Sequence, residues 1–245
     1  MENNIIIEAK NIFMCFNLAR EKTDTLKEFF IKLLKRDLFF DKFYALRDVS
    51  FSVKKGEAVA LIGVNGSGKS TMLKIIAGVM KPTSGEINIR GTIAPLIELG
   101  AGFDMDLTAR ENIFLNGAVL GHSREYMKKH FNEIVSFAEL EDFIDVPIKN
   151  FSSGMIARLG FSIATIVNAD ILVVDEILAV GDYKFQEKCK NRIKKMLESG
   201  TTLLFVSHDI NQVKELCNKA IWLDHGILRK YGDIEIVCKE YAPNI

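Results

Sequence analysis

Apolar positions fall into two alternating rhythms along the chain. Ile5-Ile6-Ile7-Glu8 and Asn11-Ile12-Phe13 read as an opening strand. Val49-Ser50-Phe51-Ser52-Val53 alternates as a half-buried strand does, with Lys54 to Glu57 as its turn. Ala58 to Ile62, Leu172 to Val174 and Thr202 to Val206 are short runs with almost no polar residue, the mark of strands buried on both faces. Glu86 to Arg90 and Ala220 to Asp224 add two more strands. Between these lie helical stretches: one reaching Ala77, a helix-rich middle from about Thr108 to Ala169, and a charged helix from Tyr183 to Leu197. A turn at His225-Gly226 and a short final helix close the chain. Strands alternating with helices predict an α/β fold on a mostly parallel sheet.

The segment 20–42 stands apart. Leu26, Phe29, Phe30, Leu33 and Leu34 repeat at helical spacing, with Lys27, Glu28, Lys32, Lys35 and Arg36 on the other side. Its seven basic and five acidic residues leave a charge of +2. Such an amphipathic helix suits lipid headgroups, a membrane partner, or packing on its own domain.

Composition narrows the classes. The chain has 245 residues, 48% hydrophobic and 26% charged, enough for a substantial core. Lys and Arg number 32, as do Asp and Glu, so the chain lacks the basic surplus of a nucleic-acid coat. No apolar run nears the roughly 20 residues of a membrane span, and Met1 to Asn4 open no secretory signal. Cys15, Cys189, Cys217 and Cys238 have neither metal nor redox spacing and read as reduced thiols.

The chemistry is concentrated in four places. Gly63-Val64-Asn65-Gly66-Ser67-Gly68-Lys69-Ser70-Thr71, between a strand and a helix, fits G-x-x-x-x-G-K-[ST]. Its glycines let the backbone wrap phosphate oxygens, and the helix N-terminus adds positive potential. Lys69 suits the β- and γ-phosphates and Ser70 a Mg²⁺ ion. Leu172-Val173-Val174-Asp175-Glu176 is an apolar strand ending in carboxylates, with Asp175 fit for Mg²⁺ and Glu176 for activating a water. Phe151-Ser152-Ser153-Gly154-Met155 opens a helix; ordinary capping and anion binding both use such a start. Ser207-His208-Asp209 ends a strand where a parallel sheet meets its ligands.

In this order the four motifs resemble the nucleotide-binding subunit of an ABC transporter, over about Ile5 to Tyr231. The resemblance implies a P-loop NTPase of ABC type: a mostly parallel core sheet, an antiparallel β subdomain and a helical subdomain. The ATPase core and β subdomain would occupy about 5–95 and 170–232, the helical insertion 20–42, the helical subdomain 105–168 and a C-terminal helix 233–245. Ser152, Ser153, Gly154 and Met155 match the family's signature segment, usually Leu-Ser-Gly-Gly-Gln, with Phe151 for Leu, Ser153 for Gly and Met155 for Gln. Asp182 matches the Asp of the D-loop. The expected Q-loop glutamine is absent, and Glu98 is the nearest polar replacement.

Ser-Ser-Gly-Met, Ile97 to Phe103, Leu107 to Ile113 and Asp175 to Asp182 are similar to one branch, the ATPase subunits that export lipid-linked O-antigen, capsule or teichoic acid from bacteria. That resemblance implies a head-to-tail homodimer with two ATP and Mg²⁺, a permease dimer as partner, and a place on the cytoplasmic face of the inner membrane. No nucleic-acid partner is expected. In it Glu176 is the general base, His208 senses the γ-phosphate, Ser70 and Asp175 hold Mg²⁺, and Tyr44 or Phe16 stacks on adenine. Some members carry a C-terminal glycan-binding domain, and a chain ending at Ile245 is expected to lack one. A soluble ABC-type ATPase acting on DNA or ribosomes is the alternative; a small-molecule kinase leaves two of the motifs unused.

Overall fold

Three apolar runs become the inner strands of one sheet. The structure, a computed structural model, describes residues 4–19, 40–97, 99–167, 169–175, 181–207 and 209–241. β3 (Ala58–Ile62), β6 (Ile171–Asp175) and β7 (Thr202–Val206) lie in a six-stranded sheet of order β5-β6-β7-β3-β8-β9. The pairings are parallel up to β8 (Lys219–Asp224), and β9 (Ile227–Asp233) closes the edge antiparallel. The opposite edge is β5 (Ile93–Leu96), where Pro95 is tolerated because an edge strand leaves one side unpaired.

The two-residue period of these strands sorts their side chains into two cores. Ala60, Ile62, Leu172, Val174, Leu203 and Phe205 face one layer of helices. That layer contains α4 (Ser153–Ala164), α5 (Tyr183–Glu198), α6 (Ile210–Leu216) and α7 (Ile234–Tyr241). Val59, Leu61, Val173, Leu204 and Val206 face the other way. There they meet Met72, Leu73, Ile75 and Ile76 of α1 (Lys69–Ile76) and a second sheet. Each fully buried aliphatic side chain contributes about 1.5–3 kcal/mol.

The second sheet is antiparallel, in the order β2-β1-β4. β1 (Ile5–Ala19) and β2 (Phe40–Lys54) are 15 residues each, far longer than the alternation suggests, and stay paired out to Ala19 and Phe40. Phe40, Asp41 and Lys42, expected at the end of the helical insertion, therefore belong to β2, where cross-strand hydrogen bonds override a local apolar pattern. The rest of that insertion, 20–39, lies outside the described residues. β4 (Ser84–Ile89) pairs with β1 from Ile7 to Phe13.

Two more helices complete the middle of the chain. α2 (Ala109–Val119) begins with a capping box: Thr108 accepts the Glu111 amide and Glu111 accepts the Thr108 amide. α3 (Arg124–Ala138) is capped by Ser123 and ends at Glu139, whose backbone is left-handed with φ of 59°. With α4 they bury a core of their own around Ile113, Met127, Ile134, Leu159 and Ile163.

Candidate nucleotide site

β3 runs into the glycine-rich turn and α1 leaves it. Gly63 has φ of 150°, and a Cβ there would sit 2.2 Å from the Leu223 carbonyl oxygen. Gly68, φ 103°, would press a Cβ to 2.6 Å from the Ala45 carbonyl oxygen. These two contacts explain why glycine stands at both places: β8 and β2 back the turn at van der Waals range. The Gly226 amide donates to the Ser67 carbonyl at 3.0 Å, and the Arg47 amide to the Gly226 carbonyl at 2.7 Å, so the β8–β9 hairpin braces the turn.

Lys69 is 6% exposed, with its ammonium donating to the Gly63 and Val64 carbonyls at 2.8 and 3.1 Å. The side chain thus arches back over the turn. Gly68 is the N-cap of α1 and provides no side-chain hydrogen bond to its first amides. A cleft of about 450 Å³ opens in front of them. Asn65, Gly66, Gly68, Lys69, Ser70 and Thr71 form its floor, and Asp175, the last residue of β6, forms a side wall with Ile97. Parallel pairing of β6 with β7, and of β7 with β3, carries Asp175 to the same sheet end as the turn. Ser70 and Asp175 are hard oxygen donors on one cleft, the pair that Mg²⁺ takes when phosphates and water complete its shell. The residues present therefore fit both Mg²⁺ and the phosphates of a nucleotide.

Phe16 and Phe43 face each other across the β1–β2 pairing and line the same cleft. Tyr44 does not. Successive strand residues alternate faces, so Tyr44 lies in a separate groove with Phe13, Cys15 and Lys42, its ring 5.5 Å from the Arg47 guanidinium. Of the two aromatics singled out for adenine, the fold brings Phe16 to the phosphate turn, and Phe43 accompanies it. Alternation counted back from buried Ala45 places Phe43 on that face.

Ser152, Ser153, Gly154 and Met155 do not line this cleft. Ser152 is the N-cap of α4, its hydroxyl accepting the Met155 amide at 3.2 Å. Asp182 caps α5, one carboxylate oxygen accepting the Phe185 amide at 2.9 Å and the other an Arg158 Nη2 at 2.6 Å. The Phe185 amide first, and then the Arg158 charge, hold its carboxyl below the usual Asp value. Glu98, Glu176 and His208 lie outside the described residues. Burial pushes the thiols of Cys189 and Cys217 up to about 12, as expected of inert core thiols.

A parallel sheet with a glycine-rich turn, a lysine and an aspartate converging at one strand end defines a P-loop NTPase. The family model described as ABC transporter matches residues 46–179, and the chain belongs to that family, as an ATP-hydrolysing subunit. The chain is 48% identical over 200 residues to the O-antigen export system ATP-binding protein RfbB of Klebsiella pneumoniae, covering 82% of this chain and 81% of that protein. It is 43% identical over 238 residues to the teichoic acids export ATP-binding protein TagH of Bacillus cereus, covering 97% of this chain and 42% of that protein. Among solved structures, a dimeric post-hydrolysis state of an ATP-binding cassette bound to ADP and Pi superposes with a TM-score of 0.74 at 28% identity. That match covers 94% of this chain and 99% of the other.

Proposed function

We propose that the chain energises export of a lipid-linked polysaccharide of O-antigen, capsule or teichoic acid type. It would act as a homodimer beneath a permease dimer at the cytoplasmic face of the bacterial inner membrane. The observation that carries the ATP-driven part of the reading is the joint placement of Lys69, Ser70 and Asp175 on one cleft. The names of the similar RfbB and TagH proteins support the cargo class.

In this reading the turn amides and Lys69 bind the β- and γ-phosphates, and Ser70 and Asp175 hold Mg²⁺, which supplies charge neutralisation when bound. Glu176 takes the proton of the attacking water, and His208 donates a hydrogen bond to the γ-phosphate. Phe16 and Phe43 flank the adenine. Ser152 to Met155 and Asp182 approach from a second copy, since α4 begins away from its own cleft. Glu98 replaces the missing Q-loop glutamine as a Mg²⁺ contact.

A second groove, of about 230 Å³ and mostly apolar, supports a permease contact. Val79 and Val119 on its rim are 68% and 66% exposed. Ile97 lines this groove and the nucleotide cleft alike, so a permease helix seated there would touch the wall of the phosphate site. No helix among the described residues is long and apolar enough to cross a membrane.

The test is affinity capture of the Glu176→Gln protein from native membranes with Mg-ATP. Recovery of a multi-span membrane protein in equal amount is the expected result. Recovery with DNA or ribosomes alone overturns the transport reading.

A further inference from the structure

One guanidinium sits where α3, α4 and α5 meet. Arg158 stands on α4, six residues after Ser152, and is only 18% exposed. Its Nη1 donates to Glu139 at 2.8 Å, the left-handed residue that ends α3. Its Nη2 donates to Asp182 at 2.6 Å, the cap of α5. Its Cζ lies over the Phe185 ring, 4.7 Å from the ring centroid. Three directions are thereby fixed at once, as only a planar fork permits.

The surroundings complete the joint. Phe185 packs edge-on against Phe161 of α4 and Phe137 of α3, at centroid distances of 6.4 and 5.8 Å. Lys188 of α5 donates to the Phe137 carbonyl at 2.8 Å and to Glu139 at 3.0 Å, closing the C-terminus of α3. Arg192 reaches Glu133 at 2.9 Å and the Thr165 carbonyl at 3.3 Å.

Asp182 is 63% exposed, and an ion pair so wet adds little stability. What the pair adds is position. Asp182 follows Asp175, the cleft carboxylate, by seven residues, and its other oxygen holds the first turn of α5. We infer that Arg158 is a positioning residue for ATP turnover, acting through Asp182 to hold the start of α5 in fixed relation to the helix that begins at Ser152. The inference is independent of the exported cargo.

Steady-state ATP hydrolysis by the purified chain tests it, with Arg158→Ala, Asp182→Asn and the double variant. Asn caps a helix as well as Asp does, so Asp182→Asn removes the ion pair and keeps α5 intact. Arg158→Ala should lower kcat about tenfold with the KM for ATP within about twofold, as expected for misplacement without lost binding. Asp182→Asn should lower kcat in the same direction, and the double variant should be no worse than Arg158→Ala. Arg158→Lys, which keeps the charge and loses the fork, should recover less than half of the rate. An unchanged kcat in Arg158→Ala overturns the inference. So do losses that multiply in the double variant, or an Asp182→Asn effect confined to KM.

Discussion

α1 and α4 both start with small residues, and of these two starts it is the one of α1 that faces a cleft shared with Lys69 and Asp175. α1 is capped by Gly68, which offers its first turn no side-chain acceptor, and the amides open on a cleft with Lys69 and Asp175. α4 is capped by Ser152, whose hydroxyl already accepts the Met155 amide, and none of Ser152 to Met155 lines that cleft. The first start is preorganised by its own fold. The second begins outside that cleft, with its cap hydroxyl already on a helix amide. A glycine- and serine-rich helix start is thus a capability, and the tertiary surroundings decide whether one chain suffices to use it.

The comparison breaks most sharply at Lys69. Lys69→Ala should lower kcat for ATP hydrolysis by about 10²–10³-fold, because a buried donor to the developing phosphate charge is lost; phosphate release measures this. Gly63→Ala should be the largest stability change, because its Cβ would meet the Leu223 carbonyl at 2.2 Å. Strain of this kind costs about 1–3 kcal/mol, read as a lowered Tm without nucleotide.

Phe16→Ala should weaken ATP binding by about 1 kcal/mol, roughly fivefold in Kd, as loss of one aromatic stacking partner does. Tyr44→Ala, on the other face of the strand, should leave that Kd unchanged in the same titration. Ser152→Ala should cost about 1 kcal/mol of stability in urea through the lost cap and leave ATP affinity of the monomer unaltered. A fall in monomer affinity would mean that the α4 start reaches its own cleft after all.

Acid gives the smallest effect. Folding lowers the carboxyl pKa of Asp182, chiefly through the Phe185 amide, and that of Glu139, chiefly through Lys188. Groups with depressed folded values stabilise the fold above their ordinary values and lose that contribution as pH falls through the folded ones. A urea midpoint that is flat near pH 6 and declines below about pH 4 is expected, with a shallower decline in Asp182→Asn.

Much of the fold and of the phosphate site is legible in the amino-acid pattern alone. Ile171 to Val174 announces a buried parallel strand because both its faces are covered, and a carboxylate at its end has few uses other than a ligand site. β5 is not legible: four residues with a proline carry no period, and only pairing with β6 makes Ile93–Leu96 a strand. β9 escapes for a related reason. Ile227 to Asp233 is an edge strand with polar residues such as Arg229 and Lys230, held by its ladder to β8. The family resemblance implies a nucleotide contact for Asp182; that its carboxylate accepts from a helix amide and from Arg158 is visible only in the fold.

The sequence by itself determined the glycine-rich turn before α1, the aspartate that ends β6 and the family, because these depend on residue types at fixed short spacings along strand–turn–helix units. Tertiary structure alone decided that Phe43 rather than Tyr44 accompanies Phe16, that one groove shares Ile97 with the nucleotide cleft, and that Arg158 joins three helices. Those outcomes depend on strand register and on helices distant in sequence meeting at one point, and no local pattern encodes either.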